Sequence, residues 1–498
     1  MLGGGSAGFL AALALRSRLP ELDITVIRSR EIGIIGVGEG STPSLTRFLH
    51  EYLAVDPKSF FELAQPTWKL GIRFLWGPRP YFNYNFNTGQ LASPVPGLRR
   101  LRAAYAAEDM EYEDPISALM SLDRAFERNA QGLPVFHPNV AYHFENEKFV
   151  GFLERLAVSQ GVAIVEDTVT KVDLDETGAI AALHMASGEN RTAGLYLDAS
   201  GFESRLLRKA LGEPFLSYGG SLFCDRAIIG GWDRTVPEEE VIRPYTTCET
   251  MNAGWCWRIE HERRVHRGYV YCSSFASDHE AEAEFRAKNP KASHTRVIPF
   301  VSGRYRHQWV KNVVAIGNAG GFVEPLEATA LGAIAFQSRT LTDTLLECNR
   351  RPTPLIARYF NELHGAVWDD IRNFLALHYR YNTRLDTPFW RHCQQATDLA
   401  GAAEVVELYR HQGPSVWIEA ATHRASQFGV PGYLALLVGL RLETQCRYQP
   451  SGEERRLWQA ERDKLKGMAS RGLTVNEALA IIRMPQWRWG APKRTSPA

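Results

Sequence analysis

The distribution of apolar residues over the first fifty positions indicates an alternation of helix and strand. Residues Phe9 to Leu15 consist only of Phe, Leu and Ala, which predicts a buried helix. A turn at Pro20 to Asp23 separates this helix from Ile24 to Ile27, a β-branched run typical of a buried strand. A second helix is expected to carry Leu45 to Leu53. The chain therefore begins with half of a βαβ unit.

Strand-like runs dominate the middle of the chain. Four short runs surround the turn Asp175 to Gly178, and a further group of strands is expected over about residues 219–275. The four runs are Val162 to Val165, Thr168 to Val172, Ile180 to Met185 and Leu195 to Leu197. These patterns predict a sheet inserted into the nucleotide-binding part.

The stretch Trp76 to Pro96 is rich in aromatic residues, Pro and Asn. We expect an ordered but irregular segment that covers a site, because loops of this length in a compact protein are usually functional. Further along, the strand Val313 to Ile316 leads through a glycine loop into a long apolar helix, Ala330 to Leu346.

From Pro354 onward the pattern is helical and includes Glu453 to Met468, whereas the tail Ala491 to Ala498 is expected to be disordered. The predicted fold class is α/β. Residues 1–350 would form the nucleotide-binding core with its inserted sheet, and residues of about 76–150 would cover the substrate. Residues 351–498 would form a helical module packed on the substrate side of the core.

Composition narrows the class of protein. With 498 residues, 45% hydrophobic and 23% charged, the chain can bury a large core. Its 57 basic and 56 acidic residues give a net charge of +1, so nothing favours nucleic acid or an anionic membrane as a partner. No apolar run reaches the roughly 18–20 residues that span a bilayer, and the first residues lack a basic leader, so we expect a cytoplasmic protein.

Cysteine and histidine usage indicates neither a disulfide framework nor a metal site. The seven cysteines are widely spaced without a C-x-x-C pair, which favours reduced thiols. The 14 histidines show no metal-ligand spacing, so His261, His266 and His378 are interpreted as ordinary polar or packing residues and no metal is expected.

Gly3 to Gly8 fits the pattern G-x-G-x-x-G. Its first glycine makes a tight turn, its second lets the backbone approach a pyrophosphate, and its third lets helix and strand pack closely. A buried strand of about five residues should precede the pattern, but only Met1 and Leu2 do. We expect that the start of the chain was assigned too late and that a β-branched stretch is encoded upstream. The alternative is a sheet that lacks most of its central strand and binds its dinucleotide more weakly. Tight dinucleotide binding by this chain would count against the first explanation.

Two later segments, Leu197 to Ser204 and Ala315 to Ala319, resemble the second and third FAD fingerprints of flavin monooxygenases, in that order. Three matches in order are far more specific than one glycine loop, and they imply FAD. One residue departs from the pattern. Arg28 stands where an acidic residue usually binds the ribose hydroxyls, so the adenosine contacts are expected to differ.

Further motifs resemble the flavin-dependent halogenases of the tryptophan halogenase family over roughly residues 1–395. The motifs are Gly36 to Gly40, Pro66 to Phe74, Gly254 to Ile259, Phe322 to Thr329, Leu377 to Tyr379 and Asp386 to Trp390. The resemblance implies a Rossmann-like FAD-binding core shared with related monooxygenases. It also implies a reaction in which a separate, transiently bound flavin reductase supplies FADH2, and O2 with chloride or bromide yields hypohalous acid. That acid travels through a closed tunnel to an aromatic substrate.

The resemblance assigns cofactor contacts to residues from every glycine-containing motif. These residues are Gly3, Gly5, Ser6, Ala7, Gly8, Gly38, Glu39, Gly40, Val169, Asp198, Gly317 and Asn318.

Lys69 and Glu327 are the expected catalytic residues. Hypohalous acid is a weak and promiscuous electrophile, so selective halogenation requires a donor that fixes and polarises it, which a lysine ammonium provides. A lysine whose pKa is lowered by burial could instead be halogenated itself. Glu327 would polarise the oxidant with Lys69 or take the ring proton, and it also stands in a helix N-cap region where carboxylates are favoured in any case.

The resemblance places the halide at the backbone N–H groups of Thr329 and Ala330. This chain reads Ala328-Thr329-Ala330 where the family usually has Ser-Thr-Gly. We therefore expect an altered halide affinity or an altered preference between chloride and bromide.

The substrate side departs further from the family. Trp255 and Trp257 match a tryptophan pair thought to keep substrate off the flavin, although plain core packing explains them equally well, and Glu260 replaces the proline that closes their motif. Tyr84 and Phe86 lie where the family sandwiches the aromatic ring. No segment after residue 395 matches the one that grips the charged end of tryptophan, so an indole, a pyrrole or a phenol is as good a candidate as free tryptophan.

Two other functions stay open. A flavin-dependent aromatic hydroxylase would deliver oxygen directly from the flavin and would need neither Lys69 nor Glu327. A flavin-binding protein that has lost halogenation would account for Ala328, Ala330 and Glu260. Either way we expect a small aromatic ligand, and a homodimer is allowed.

Overall fold

The computed structural model describes residues 1–29, 38–236, 240–422 and 426–489. The predicted disorder of residues 491–498 and the first two residues of the motif Gly36 to Gly40 fall outside these ranges. No helix in the described ranges is long and apolar enough to cross a membrane.

The three longest helices of the described residues all lie after residue 329. The helices are α1 (Ser6–Arg18), α2 (Pro43–Arg47), α3 (Pro57–Leu63), α4 (Arg102–Ala106), α5 (Pro115–Ser121), α6 (Asn146–Ser159), α7 (Asp278–Lys288), α8 (Ala330–Glu347), α9 (Pro354–Tyr381), α10 (Pro388–Ala396), α11 (Ala403–Gln412), α12 (Ile418–Ala421), α13 (Gly429–Gly439), α14 (Gly452–Ser470) and α15 (Val475–Ile482). Two π-helical segments, Phe48–Tyr52 and Arg205–Ala210, supplement them.

The strands are short except in one large sheet. They are β1 (Thr25–Arg28), β2 (Glu39–Gly40), β3 (Thr67–Lys69), β4 (Gly71–Leu75), β5 (Phe82–Asn85), β6 (Glu127–Arg128), β7 (Pro134–Val135), β8 (Ala141–Phe144), β9 (Ala163–Glu166), β10 (Val169–Leu174), β11 (Ile180–Met185), β12 (Asn190–Arg191), β13 (Tyr196–Asp198), β14 (Phe215–Ser217), β15 (Arg226–Asp233), β16 (Tyr245–Met251), β17 (Gly254–Glu260), β18 (Arg264–Tyr271), β19 (Thr295–Pro299), β20 (Gly303–Tyr305), β21 (Trp309–Val310), β22 (Val313–Ala315) and β23 (Gly321–Phe322).

The nucleotide-binding sheet is mainly parallel. Strands β9 and β1 pair in parallel, as do β13 and β22, while β21 runs antiparallel to β22. Leu2 joins the two halves, because it forms parallel bridges with both Ile27 and Asp198. Its N–H donates to the Leu197 carbonyl at 2.9 Å, and the N–H of Gly3 donates to the Ile27 carbonyl at 2.9 Å. The first residues therefore occupy the central position of the sheet and direct the glycine loop toward α1.

A seven-stranded sheet has the order β19-β15-β18-β17-β16-β4-β5 and is antiparallel except between β16 and β4. The prediction of an irregular segment at Trp76 to Pro96 is wrong in part, because this segment contains β5, the edge strand of the seven-stranded sheet. The Asn residues that suggested a loop are buried and bonded to neighbours: Asn83 donates to the Ser121 hydroxyl at 3.0 Å, and Asn85 donates to the Asp114 carboxylate at 2.6 Å. These tertiary bonds outweigh the low strand propensity of Asn.

The small sheet β2-β8-β3 and helix α9 complete the frame around the site. Strand β8 pairs with both neighbours, so Glu39 lies opposite Phe144 and Lys69 lies opposite Ala141. Helix α9 packs its apolar face against the seven-stranded sheet, and one apolar core contains side chains from both, including Phe74 and Phe374. The helices after residue 354 thus share a core with the rest of the chain.

Candidate active site

A cavity of about 680 Å³ begins at the first glycine loop and extends to Lys69. Its walls come from the loop before α1, strand β2, the Ala199–Gly201 loop, the seven-stranded sheet and the start of α8. The predicted residues that line it are Gly3, Gly5, Ser6, Ala7, Gly38, Glu39, Gly40, Lys69, Val169, Asn318 and Ala330. Residues from four separate sequence motifs therefore face one space.

The first glycine loop has the geometry that a dinucleotide needs. A Cβ on Gly5 would have no described atom within 4 Å, whereas a Cβ on Gly8 would lie 2.0 Å from the Gly3 carbonyl oxygen. The first position leaves room for a pyrophosphate, and the second allows helix and strand to pack. Helix α1 has no acidic residue in its first turn, so its N-terminal N–H groups meet no competing charge. The loop fits the diphosphate of FAD.

Three predicted cofactor residues do not reach the cavity and instead shape its walls. Gly8 lies beneath the loop, and Gly317 adopts φ +64° and donates its N–H to Gln337 at 3.0 Å. The carboxylate of Asp198 accepts from Ser200, Leu206 and Leu207, which leaves it pointing into its own loop. Asp198 therefore does not line the cavity itself, but holds the Ala199–Gly201 loop, which does.

Arg28 lines the cavity next to Gly4 of the first glycine loop. It bonds to Glu154 at 2.5 Å and pairs with Glu166 at 3.4 Å. Glu154 also lines the cavity. Acidic side chains are thus present beside Arg28, contributed by α6 and β9 rather than by the end of β1.

Lys69 is fully buried at the far end of the cavity. Its ammonium has no hydrogen-bond partner among the described residues and lies 5.3 Å from the centre of the Phe86 ring. A Cβ on Gly40 would lie 3.0 Å from Nζ, so the glycine lets β2 pass close to the lysine. Burial lowers the Lys69 pKa to about 8, opposed by the neighbouring Cys248 and Glu327. A charged, unpaired donor therefore faces the cavity at neutral pH.

Glu327 is also buried, but unlike Lys69 it does not line the cavity. It ends the short 3-10 turn Pro325–Glu327, and the chain reverses at Ala328, which takes the left-handed conformation with φ +54°. Burial raises the pKa of Glu327, while the adjacent His378 and Lys69 act in the opposite direction. Each of the two predicted catalytic charges thus influences the pKa of the other.

His378, interpreted from the sequence as an ordinary polar or packing residue, contacts Glu327 directly. Its Nε2 lies 2.8 Å from Oε1 of Glu327, and its Nδ1 lies 3.1 Å from the Phe374 carbonyl oxygen. The motif Leu377 to Tyr379 already carried this residue, but a histidine without metal-ligand spacing gave no reason to assign it a partner. His378 and Glu327 meet because α9 packs against the turn that contains Glu327.

The proposed halide position lies where α8 begins. Thr329 is the N-cap residue without a side-chain cap, and the first turn of this 18-residue helix contains no acidic residue. Ala330 lines the cavity, whereas the Thr329 side chain is buried away from it. The helix terminus is suited to a small anion.

The two tryptophans of β17 have different surroundings. Trp255 is fully buried and donates to Glu324 at 3.0 Å, whereas Trp257 lines the cavity. Trp255 is therefore a core residue, whereas Trp257 forms part of the cavity wall. Glu260 is buried and forms ion pairs with Arg234, Arg243 and Arg258. The departure at position 260 thus introduces an ion-pair cluster at the end of the strand.

Tyr84 and Phe86 lie on one face of the sheet edge, but neither lines the 680 Å³ cavity. Tyr84 is buried, and its hydroxyl lies 2.8 Å from where a Cβ on Gly432 would stand, so α13 closes over it. Phe86 is half-buried beside Lys69. The predicted ring contacts therefore lie near Lys69 and Glu327 but outside the cavity wall. The described residues contain no cluster of side chains able to hold a metal ion.

A dinucleotide-binding α/β fold whose cavity reaches a buried lysine, with a buried glutamate nearby, agrees with what the resemblance to flavin-dependent halogenases implied. The sequence pattern of the tryptophan halogenase family matches residues 1–455, and the chain belongs to this family. The predicted family and the predicted fold class are confirmed.

Individual relatives agree with this assignment. The chain is 32% identical over 445 residues to the tryptophan 6-halogenase ThaL of Streptomyces albogriseolus, which covers 82% of this chain and 81% of the relative. It is 30% identical over 440 residues to the tryptophan 7-halogenase RebH of Lentzea aerocolonigenes, with the same coverage. The crystal structure of MibH, a lanthipeptide tryptophan 5-halogenase, superposes with a TM-score of 0.88 at 36% identity and covers 97% of this chain and 93% of that one. The chain is a flavin-dependent halogenase, for which FAD and a halide are the implied cofactors.

Proposed function

We propose that this enzyme transfers a halogen to an aromatic substrate and that Lys69 and Glu327 are its catalytic residues. One observation carries the proposal. The Lys69 ammonium is buried and unpartnered among the described residues, at the end of a cavity that starts at the dinucleotide loop. An unpaired buried ammonium is costly, so a position of this kind favours a function over a contribution to stability.

The reactants would enter from opposite sides of Lys69. Bound reduced FAD, supplied by a separate flavin reductase, would provide the electrons that let O2 oxidise halide to hypohalous acid. The residues lining the cavity from Gly3 to Gly40 would hold the dinucleotide, and the N–H groups of Thr329 and Ala330 would hold the halide. The aromatic substrate would lie on the side of Glu327, Tyr84 and Phe86.

Lys69 would fix and polarise the hypohalous acid. Its pKa of about 8 keeps most of the side chain protonated at pH 7, so it can donate a hydrogen bond to the oxygen of the oxidant. As the ring attacks the halogen, the carbon–halogen bond forms and the oxygen–halogen bond breaks. The departing oxygen takes a proton from Lys69 and leaves as water.

Glu327 would complete the proton balance. It accepts the proton from the halogenated ring carbon, and the electron pair of that carbon–hydrogen bond returns to the ring. The proton then passes to the neutral amine of Lys69, which restores the starting state. The overall change is that hypohalous acid and the arene become haloarene and water.

We infer that the substrate is tryptophan or another indole, pyrrole or phenol, free or within a peptide. Family membership supports an aromatic ring, and the solved relative MibH is described as acting on a lanthipeptide tryptophan. We further propose a cytoplasmic enzyme that meets its reductase transiently, with the substrate enclosed between residues of about 76–150 and the helices after residue 351.

The test supplies purified protein with FAD, a flavin reductase, NADH, O2 and bromide or chloride. Each reaction contains one aromatic compound, chosen from free tryptophan, an indole, a phenol and a tryptophan-containing peptide, and mass spectrometry reads the products. Halogenated product is expected, whereas hydroxylated product alone would make the enzyme a hydroxylase.

Lys69→Ala is the decisive variant. We expect it to consume reduced flavin but to yield no halogenated product. Lys58→Ala, at an exposed lysine of α3, is the control for loss of a lysine and should leave the yield unchanged. Halogenation by the Lys69→Ala variant would remove Lys69 from its proposed role.

A further inference from the structure

We propose that His378 is a positioning residue that shares one proton with Glu327 and thereby keeps this carboxylate oriented and able to accept the ring proton. This inference rests on the proposed function, because it concerns the same carboxylate. His378 and Glu327 form a fully buried pair with an Nε2–Oε1 distance of 2.8 Å.

The Nδ1 contact decides where the first proton of the imidazole lies. Nδ1 of His378 is 3.1 Å from the carbonyl oxygen of Phe374, one helical turn earlier in α9. A carbonyl oxygen can only accept a hydrogen bond, so Nδ1 must carry a proton. The ring is then held by its own helix, and Nε2 is directed at Glu327.

The contact between Nε2 and Oε1 holds one further proton. Without a proton there, a nitrogen lone pair would face a carboxylate oxygen at 2.8 Å, and both groups are acceptors. With an additional proton on the carboxylate, the pair would carry a positive charge next to the Lys69 ammonium in a buried site. The favoured state therefore has one shared proton and no net charge.

Few titratable side chains around Glu327 could supply this proton in place of His378. The titratable side chains whose charges act on Glu327 or on its immediate neighbours come from four packed elements: Lys69 on β3, Cys248 on β16, Tyr84 on β5 and His378 on α9. Tyr433 and Asp370 act one layer farther out, on Tyr84. Phe74, Trp76 and Phe374 surround the imidazole and exclude water.

The shared proton gives Glu327 two useful properties. Oε1 is occupied by His378, so the side chain keeps one orientation and leaves Oε2 to receive the ring proton. The histidine also opposes the rise that burial causes in the Glu327 pKa. Without His378, only the Lys69 charge would oppose the rise that burial causes in the Glu327 pKa.

The first experiment needs no activity. Proton NMR of the full chain should show one downfield imidazole N–H resonance that is absent from both His378→Gln and Glu327→Gln. His364→Gln is the matched control, because His364 is equally buried on α9 but neither of its ring nitrogens has a partner among the described residues. The resonance should persist in this control, and its persistence in His378→Gln would overturn the proposal.

The second experiment is the pH dependence of halogenation. In His378→Gln we expect the acid limb to move up by about one pH unit or more, with activity recovering as the pH rises toward 8, where Lys69 sets the alkaline limb. His378→Phe should show the same shift and about a 100-fold lower maximal rate, because orientation is lost as well. His364→Gln should keep the parent acid limb.

The two proposals fail in different ways. If the parent protein gives no halogenated product, the proposed function is wrong, and the NMR comparison still decides whether the proton is shared. If halogenation occurs but His378→Gln keeps the parent acid limb, His378 is a packing residue only. If circular dichroism shows that the His378→Gln variant is unfolded, His378→Asn replaces it. We expect asparagine to retain the bond to Phe374, to lose the bond to Glu327 and to show the same pH shift. An unshifted acid limb in that variant would also overturn the proposal.

Discussion

At the scale of single residues, Lys69 shows a conflict between stability and the proposed chemistry. Its ammonium is fully buried, and no described residue accepts a hydrogen bond from it. Burial lowers its pKa from 10.5 to about 8, which means that the fold disfavours the charged form. Below pH 8 the folded protein bears the full cost of a buried charge, and this cost disappears as the pH rises toward 10.5.

Lys69→Met should therefore be inactive in halogenation yet more stable than the parent. Lowering the Lys69 pKa from 10.5 to about 8 corresponds to a gain in the free energy of unfolding of at most about 3 kcal/mol at pH 7 for the methionine variant. Urea unfolding at pH 7 and pH 9.5 would measure it, and the advantage should narrow at the higher pH. Equal stability at both pH values would mean that the lysine is solvated or paired in the folded protein.

Glu260 shows how one residue can be supported by a local cluster. Its carboxylate is 1% exposed and lies among Arg234, Arg243 and Arg258, of which Arg234 has a fully buried side chain. The sequence identified the departure from the family's proline but not its partners, because the arginines come from the segment after β15, from the segment before β16 and from β17 itself.

Removing the carboxylate at position 260 should be costly. Glu260→Gln leaves the buried Arg234 without its main counter-charge, and we expect a loss of about 3–5 kcal/mol in the free energy of unfolding. Glu262→Gln is the matched control, since Glu262 pairs with Arg483 at a half-exposed position nearby and should cost less than about 1 kcal/mol. Similar losses in both variants would show that the Glu260 cluster is no stronger than a surface pair.

At the scale of elements, the segment before α8 carries two buried carboxylates with different partners. Glu324 accepts hydrogen bonds from Trp255 of β17 and Tyr379 of α9, while its second oxygen has no partner in the described chain. Burial raises its pKa from 4.5 to about 7. Glu324 therefore links the sheet to α9, whereas Glu327 faces Lys69 and His378.

Glu324→Gln and Glu327→Gln should separate structure from chemistry. Glutamine at 324 keeps an acceptor for both donors, so activity should stay within about threefold of the parent, whereas Glu327→Gln should lose at least about 100-fold through loss of the base. Because the folded pKa of Glu324 is raised, the parent loses stability as the pH rises from 4.5 to about 7, and glutamine does not. Above pH 7 the Glu324→Gln variant should gain up to about 3 kcal/mol, measured by urea unfolding against a pH 5 reference. Equal losses of activity in the two variants would contradict the separate roles.

Helices and strands that are marked by a local sequence pattern were predictable from the sequence. Features that depend on contacts between residues far apart in the sequence were not. Helices α1 and α8 and strands β1 and β11 lie within a few residues of their expected bounds, because apolar runs and β-branched residues report on local structure. Strand β5 was missed because its asparagines satisfy their amides through α5 and the residue before it. The Glu327–His378 contact joins residues 51 positions apart, which no spacing rule reveals.

At the scale of the whole molecule, the cavity lies where separate parts of the chain converge. The nucleotide-binding sheet supplies the glycine loop, the β2-β8-β3 sheet supplies Lys69, and α8 supplies Ala330. A ligand that fills this space contacts residues far apart in sequence and binds only the folded chain. Its binding should therefore stabilise the molecule as a unit, by about 2.7 kcal/mol at a hundredfold excess over the dissociation constant.

The first glycine loop allows this linkage to be tested with two single-methyl changes. Gly5 has φ −90° and open space where a Cβ would stand, so Gly5→Ala should change the stability of the FAD-free protein by less than about 1 kcal/mol. The methyl group would occupy the pyrophosphate position, and we expect FAD to bind at least about tenfold more weakly by fluorescence titration and to raise the unfolding midpoint less. Gly8→Ala should instead destabilise the free protein, because its methyl group would meet the Gly3 carbonyl oxygen at 2.0 Å and cost about 1–3 kcal/mol before any FAD is added. If Gly5→Ala bound FAD as tightly as the parent, the diphosphate would not lie against this loop, and the path from the loop to Lys69 would lose its starting point.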